Sequence, residues 1–286
     1  MKKDHENNIR GKAEILKREG YQMDDIKLVV NLDELRQQLI VLGFGEKFVP
    51  GIQLEMEKGT PHIVIPYAEL LHSDAVRGVI KVDRSQSGHY FLTQYTTDLI
   101  GGYYENKKLH PQTIDVEPFQ TESRTLSLEE SYNLLKNRAV YKEILSPTNE
   151  YYWDWIKLNF KTAASDTGYQ ILPLNKGSQF DLGKLLTDAG ITGTEKFPKL
   201  KDLQESLQKG NQEDYITLKG HKTIIQANPM EDSLDVFMGN RRINLVLDGE
   251  KSYAQLKSLR EISLKGLKEN LAADSSGYKK RKRFRR

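Results

Sequence analysis

The chain has 286 residues, of which 37% are hydrophobic and 29% charged, a composition that predicts one large or two ordinary folded domains rather than a disordered chain. It contains no cysteine, which excludes disulfides, thiolate catalysis and the usual structural zinc and iron–sulfur sites. The net charge of +3 is unevenly placed: seven of the 43 basic residues lie in the last eight positions, and without them 36 basic residues face 40 acidic ones, a net charge of −4.

The first part of the sequence, residues 1–25, is strongly polar and predicts a short helix or a loose arm. It lacks the apolar core of a signal peptide. No run in the whole sequence approaches the roughly 18 apolar residues that a membrane-spanning helix requires. We therefore expect a cytoplasmic protein without a membrane span.

Residues 26–146 predict a first α+β module. Asn31 is predicted to cap a helix, because Glu34 follows it by three residues and leucines recur at helical spacing up to Gly43. A second helix is predicted to end at Gly59. Three β-branched and aromatic segments, 63–65, 79–82 and 89–95, then predict an antiparallel meander. Polar residues 101–125 predict an insertion loop, and Ser127 with Glu130 predicts a capping box at the start of a further helix.

Residues 147–250 predict a second α+β module. Alternation from Trp153 to Phe160 indicates a strand covered on at least one face, and residues 169–172 indicate another. Helices are predicted from Asp181 to Ala189 and from Pro198 to Lys209. Four short segments, 215–218, 223–226, 234–237 and 243–246, are separated by turn-forming residues and predict hairpins. The fold class is therefore α+β, with two modules of helices packed on antiparallel sheets.

The end of the sequence predicts an amphipathic helix at residues 251–273 and a disordered basic tail at residues 274–286. Five apolar residues of this helix fall within a stripe roughly 80° wide, namely Tyr253, Leu256, Leu264, Leu267 and Leu271. A helix with such a stripe is expected to dock on another surface.

Motifs that would indicate catalysis are incomplete. Residues 177–184 have five residues between the glycines instead of the four of a phosphate-binding loop, and a leucine follows Lys184 where Ser or Thr belongs; Asp181 as a helix cap explains the segment better. The six histidines never occur at i, i+3 or i+4 spacing, so no helix presents a histidine pair to a metal. The pairs Tyr103-Tyr104 and Tyr151-Tyr152 are interpreted as aromatics of loops and strand ends. We expect no enzyme activity, no cofactor and no metal site.

The basic tail is the strongest electrostatic signal. Its residues Lys279, Lys280, Arg281, Lys282, Arg283, Phe284, Arg285 and Arg286 form the candidate nucleic-acid-binding site. By counterion release they would contact about six or seven phosphates without sequence specificity, and Phe284 would stack on a base. An anionic membrane surface, ribosomal or other RNA, and a purely solubilising role are the alternatives.

Several motifs occur together in an order that resembles an uncharacterised family of Bacteroidota proteins, a domain of unknown function. They are residues 31–35, 57–59, 127–135, 138–140, 155–160, 180–182, 206–211 and 225–229. The resemblance implies a mobile-element context, because members are often encoded on conjugative transposons and have basic C-terminal tails. It implies no reaction and no catalytic residues.

The sequence thus predicts a non-enzymatic accessory protein of a mobile genetic element. Its partner would be nucleic acid, bound through the tail. One alternative is a protein-protein interaction module of conjugation or defence machinery. Another is an enzyme whose acidic and histidine residues come together from distant positions in the sequence.

Overall fold

The computed structural model describes residues 11, 14–15, 17–20, 22–116, 124–177, 179–216, 222–238 and 241–246. They form two compact units, each with helices and antiparallel strands, which confirms the predicted α+β class. Unit 1 contains the described residues up to Gln179 together with residues 208–211. Unit 2 contains residues 180–207 and the described residues from Gln212 onward. The predicted boundary between residues 146 and 147 lies inside a hairpin of unit 1.

Three helices of unit 1 cover its main sheet: α1 (Met23–Val41), α2 (Val49–Glu57) and α3 (Leu128–Leu135). Helix α1 begins at Met23, so the prediction that Asn31 caps it is wrong. The buried Asn31 amide donates to the Tyr90 carbonyl at 2.9 Å and accepts from the Tyr90 N–H at 2.7 Å. Its side chain therefore makes hydrogen bonds to the backbone of a strand that lies far away in sequence and does not cap its own helix.

The predicted start of α3 is confirmed by its capping box. The Glu130 N–H donates to the Ser127 hydroxyl at 3.2 Å, and the Ser127 N–H donates to Glu130 Oε2 at 2.7 Å. Two of the N–H groups that a helix start leaves without partners are satisfied in this way.

The main sheet is antiparallel, with the order β1-β2-β3-β6. Its strands are β1 (His62–Leu71), β2 (Asp74–Arg84), β3 (Tyr90–Leu99) and β6 (Gln112–Asp115). The predicted meander is confirmed. The prediction of a loop over residues 101–125 is wrong in part, because this segment supplies β6 and a small hairpin of β4 (Tyr103–Tyr104) and β5 (Lys107–Lys108). Strand β6 forms because it pairs with β3 and buries Ile114.

A bulge and a glycine shape this sheet. The register shifts where β2 meets β3, leaving Thr93 as the extra residue, so that Leu92 and Tyr95 both face the core. Gly78 lies opposite Tyr67, and a Cβ there would lie 1.8 Å from the Thr96 carbonyl oxygen. Only glycine fits at this position.

Aromatic rings occupy the centre of the unit 1 core. The ring of Phe44 meets those of Tyr67 and Tyr95 edge to face, with centroids 5.1 and 5.2 Å apart. All three side chains are buried. Such contacts add to the free energy that burial of apolar surface supplies.

A second sheet in unit 1 has the order β7-β8-β9 and is also antiparallel. Its strands are β7 (Val140–Leu145), β8 (Tyr151–Leu158) and β9 (Ile171–Pro173). Ile156 and Leu158 of β8 join the same core as the main sheet. Helix α3 contacts both sheets.

Unit 2 contains the helices α4 (Leu182–Asp188) and α5 (Leu200–Gln208) and a sheet with the order β10-β11-β12-β13. Its strands are β10 (Glu213–Ile216), β11 (Lys222–Asn228), β12 (Ser233–Met238) and β13 (Arg241–Val246), and a 3₁₀ turn spans Pro229–Glu231. All pairs are antiparallel, as predicted. The predicted cap at Asp181 is confirmed, because its carboxylate accepts the Lys184 N–H at 2.9 Å.

The predicted amphipathic helix at residues 251–273 and the basic tail at 274–286 lie outside the described residues, as does most of the predicted arm. None of the helices in the described part of the chain has the length and apolar character that crossing a lipid bilayer requires.

Candidate functional site

A polar cluster of unit 1 surrounds Tyr132 on α3. Its hydroxyl donates to Asp74 Oδ2 at 2.6 Å, and the Lys136 ammonium lies 2.9 Å from the same oxygen. The Arg138 guanidinium lies 5.7 Å from the Tyr132 ring centroid. Burial, together with donation to the carboxylate, raises the pKa of Tyr132 to about 12. A phenol held in its neutral form in this way anchors α3 to β2 and is a poor acid at neutral pH.

Asn133, fully buried beside Tyr132, holds residues 208–211 in unit 1. Its amide donates to the Lys209 carbonyl at 2.8 Å and to Asn211 Oδ1 at 2.6 Å, and its carbonyl accepts from Arg138 at 2.8 Å. Gly210 lies between them at φ +83°, where a Cβ would lie 2.9 Å from a backbone carbonyl. These bonds account for the buried polar groups structurally.

An ion pair buried in unit 1 joins α3 to β7. The Lys142 ammonium lies 2.9 and 2.7 Å from the two carboxylate oxygens of Glu130, and the two side chains are 7% and 6% exposed. Glu130 is also the acidic member of the capping box. The pair therefore fixes the helix start against the second sheet.

Asp154 of β8 organises a loop. Its buried carboxylate accepts backbone N–H groups from Trp155, Asn175, Lys176 and Gly177 at 2.7 to 2.8 Å. Four donors converging on one carboxylate stabilise its charge and close the loop after β9. Asp154 is 1% exposed, so its carboxylate does not face solvent.

A comparable cluster lies among the described residues of unit 2. Glu213 of β10, with a side chain only 3% exposed, accepts a bond of 2.5 Å from the Ser206 hydroxyl and lies 3.1 Å from the Lys196 ammonium. These contacts tie α5 to the first strand of the unit 2 sheet. They explain why a carboxylate is buried at this point.

The outer face of the β7–β8–β9 sheet is different, because it presents aromatic side chains to solvent. Alternation along β8 places Tyr151, Trp153 and Trp155 on this face, and the ring of Tyr141 from β7 joins them. The Tyr141 and Trp153 rings are stacked, with centroids 5.2 Å apart and planes 26° apart. The Arg124 guanidinium lies 3.5 Å from the centroid of the Tyr151 ring. We call Arg124, Tyr141, Tyr151 and Trp153 the aromatic face.

The exposure of this face contrasts with the rest of β8. Trp153 is 44% exposed and Tyr151 43% exposed, whereas Trp155 is 1% exposed and closes one end of the face. Glu143, directly opposite Trp153, is bound to Arg124 at 3.1 Å. Burial, and to a lesser degree the charge of Asp154, raises the pKa of Tyr141, so its ring is neutral at physiological pH. The face can therefore stack on planar groups without carrying uncompensated negative charge.

The residues singled out from sequence are distributed as follows. The candidate nucleic-acid-binding residues Lys279–Arg286 lie outside the described residues. Of the tyrosine pairs, Tyr151-Tyr152 begins β8 and its two side chains lie on opposite faces of the sheet, with Tyr151 on the aromatic face. The sequence alone did not identify Tyr141 or Trp153 as site residues, although the alternation in β8 was visible. Within the described residues no group of three or more His, Asp or Glu side chains is placed to hold a metal ion.

Comparison with known proteins found no matching family model, no matching curated protein and no matching solved structure. The resemblance to the Bacteroidota family therefore stays a prediction.

Proposed function

We propose that this protein is a nucleic-acid-binding accessory protein that acts by binding rather than by catalysis. The observation that carries the proposal is the charge asymmetry: seven basic residues in the last eight positions, on a chain whose remainder has a net charge of −4. A cluster of this density attracts polyanions and releases their counterions on binding. The mobile-element context belongs to the proposal and is supported by the family resemblance. The cytoplasmic location also belongs to the proposal and is supported by the sequence.

The binding mode follows from the tail. Six or seven phosphate contacts would make duplex affinity fall by about a thousandfold or more between 50 and 200 mM salt. Contacts of this kind read charge and not base sequence.

The test is a fluorescence-anisotropy titration of the full chain against a labelled 20-base-pair duplex at both salt concentrations. A chain ending at Gly277 removes the tail, and a full-length chain with its seven basic tail residues replaced by glutamine is the matched control for length. We expect both variants to lose the salt-dependent binding. Equal binding by all three proteins would refute the role of the tail.

A second candidate, a protein-protein interaction module, is favoured by the edge of the main sheet. Strand β1 is the end strand in the sheet order, and among the described residues only β2 pairs with it. Val64 and Leu70 are 53% and 77% exposed on it, although Pro66 removes one backbone donor. Capture of a stoichiometric protein that persists after nuclease treatment and is lost with Leu70→Lys would favour this candidate.

A further inference from the structure

We propose that the aromatic face is a stacking platform for the bases of single-stranded nucleic acid. This inference rests on the proposed nucleic-acid-binding function and gives it a second site, in unit 1, with a preference that the tail lacks. The tail would hold phosphates of any strand, whereas the platform would require unpaired bases.

The spacing of the rings suits a run of unpaired bases. Tyr151 and Trp153 are alternate residues of one strand, which places their Cα atoms about 6.6 Å apart on the same face. Aromatic side chains presented on an open sheet are the arrangement on which successive unstacked bases lie in single-strand-binding proteins. Bases inside a duplex have both faces covered and cannot use such rings.

The rings are held in position and are still exposed. Trp153 is stacked on Tyr141, whose backbone is fixed opposite Trp155 in the β7–β8 hairpin. The Arg124 guanidinium packs on Tyr151 and is itself held by Glu143. A side chain that is oriented before binding loses little rotamer freedom when a base stacks on it.

The charges around the rings are compatible with a polyanion. The Arg124 guanidinium, stacked on Tyr151, offers a stacking plane, and its positive charge compensates Glu143, the acidic residue opposite Trp153. The same chain carries the seven basic residues of the tail. A sugar or a proline-rich peptide also stacks on indole, but neither explains a strongly basic tail on the same chain.

The experiment compares the full chain with Trp153→Ala and Tyr151→Ala, using labelled dT20 and a labelled 20-base-pair duplex in anisotropy titrations. Tyr103→Ala is the matched control, since Tyr103 is an exposed aromatic, 65% exposed, on the β4–β5 hairpin and not part of the aromatic face. The emission of the buried Trp155 verifies that the Trp153→Ala variant is folded.

We expect Trp153→Ala and Tyr151→Ala each to weaken dT20 binding by about 5- to 150-fold and to leave duplex binding unchanged. Trp153→Phe should recover part of the loss because it keeps a ring. In the unaltered chain, dT20 should also quench tryptophan emission, and the quenching should persist at salt concentrations that release the duplex.

Three results overturn the proposal in distinguishable ways. Unchanged dT20 binding by both alanine variants, with duplex binding intact, overturns the platform and leaves the proposed function standing. Absence of binding to either nucleic acid by the unaltered chain overturns both. Quenching by a proline-rich peptide or an oligosaccharide but not by dT20 assigns the face to another ligand and overturns the platform as well.

Discussion

Replacing Lys142 by Met tests whether the buried ion pair fixes α3 against the second sheet. The substitution keeps most of the side-chain volume but leaves the Glu130 carboxylate, 6% exposed, without its cationic partner. Breaking a buried pair on one side costs about 3 to 5 kcal/mol. The Ser127 N–H still donates to Glu130 at 2.7 Å, so we expect the lower end, about 3 kcal/mol.

The assay uses a reporter that the chain already contains. Both of its tryptophans lie in β8, the strand paired with β7, so their emission during urea unfolding reports on unit 1. With a urea slope of about 2 kcal/mol/M, a loss of about 3 kcal/mol lowers the midpoint by about 1.5 M. Lys58→Met is the matched control: its partner Glu55 lies on an exposed surface, and we expect an unchanged midpoint.

A double substitution completes the design. Glu130→Gln with Lys142→Met removes both charges, and we expect it to recover part of the stability that Lys142→Met loses. The pair does not act as described if Lys142→Met lowers the midpoint by less than about 0.5 M. It also does not act as described if the double variant loses as much stability as Lys142→Met and Glu130→Gln, each made alone, lose in sum.

Three further outcomes follow from the structure. Gly78→Ala should prevent unit 1 from folding, seen as loss of the tryptophan unfolding transition, because the new Cβ would lie 1.8 Å from a backbone oxygen. Asp154→Asn should lower the free energy of unfolding by about 1 to 3 kcal/mol in the same urea assay. The N–H₂ of the new amide would face a backbone N–H that now donates to the carboxylate, and two donors cannot bond to each other. Burial raises the pKa of Tyr67 and of Tyr132 to about 12, so stability is full below pH 10 and falls as the pH rises toward 12. Between pH 9 and pH 11 Tyr67 contributes a loss of roughly 1 kcal/mol, measurable by urea titration at these two pH values.

The sequence predicted those elements whose signals are local. The caps at Ser127 and Asp181 are satisfied within three residues, and both helices begin where the pattern indicated. Asn31 has the same residue pattern, but its partner Tyr90 is remote in sequence, and the helix boundary was wrong for that reason. Strand β6 was missed likewise, because it depends on pairing with β3 and has little periodicity of its own.

The aromatic face shows what limits the prediction of a site. The alternation predicted from Trp153 to Phe160 indicated a strand covered on at least one face, but it did not include Tyr151 and did not show which face is open. The contributions of Tyr141 from β7 and of Arg124 depend on tertiary contacts that no spacing in the sequence encodes. The basic tail, by contrast, is fully visible in the sequence because its signal is composition alone.

Residues 208–211 belong to unit 1 although the chain has by then already supplied α4 and all of α5 but its last residue to unit 2. Unit 1 is therefore complete only when Asn211 is available to pair with Asn133. Synthesis on the ribosome proceeds at about 5 to 20 residues per second, and the first 179 residues emerge before this segment does. The buried side-chain amide of Asn133 therefore has no partner from residues 208–211 until that segment has been made. A chain cut at Gln179 should accordingly behave as an incomplete domain, and the two units cannot be exchanged between proteins as contiguous gene segments.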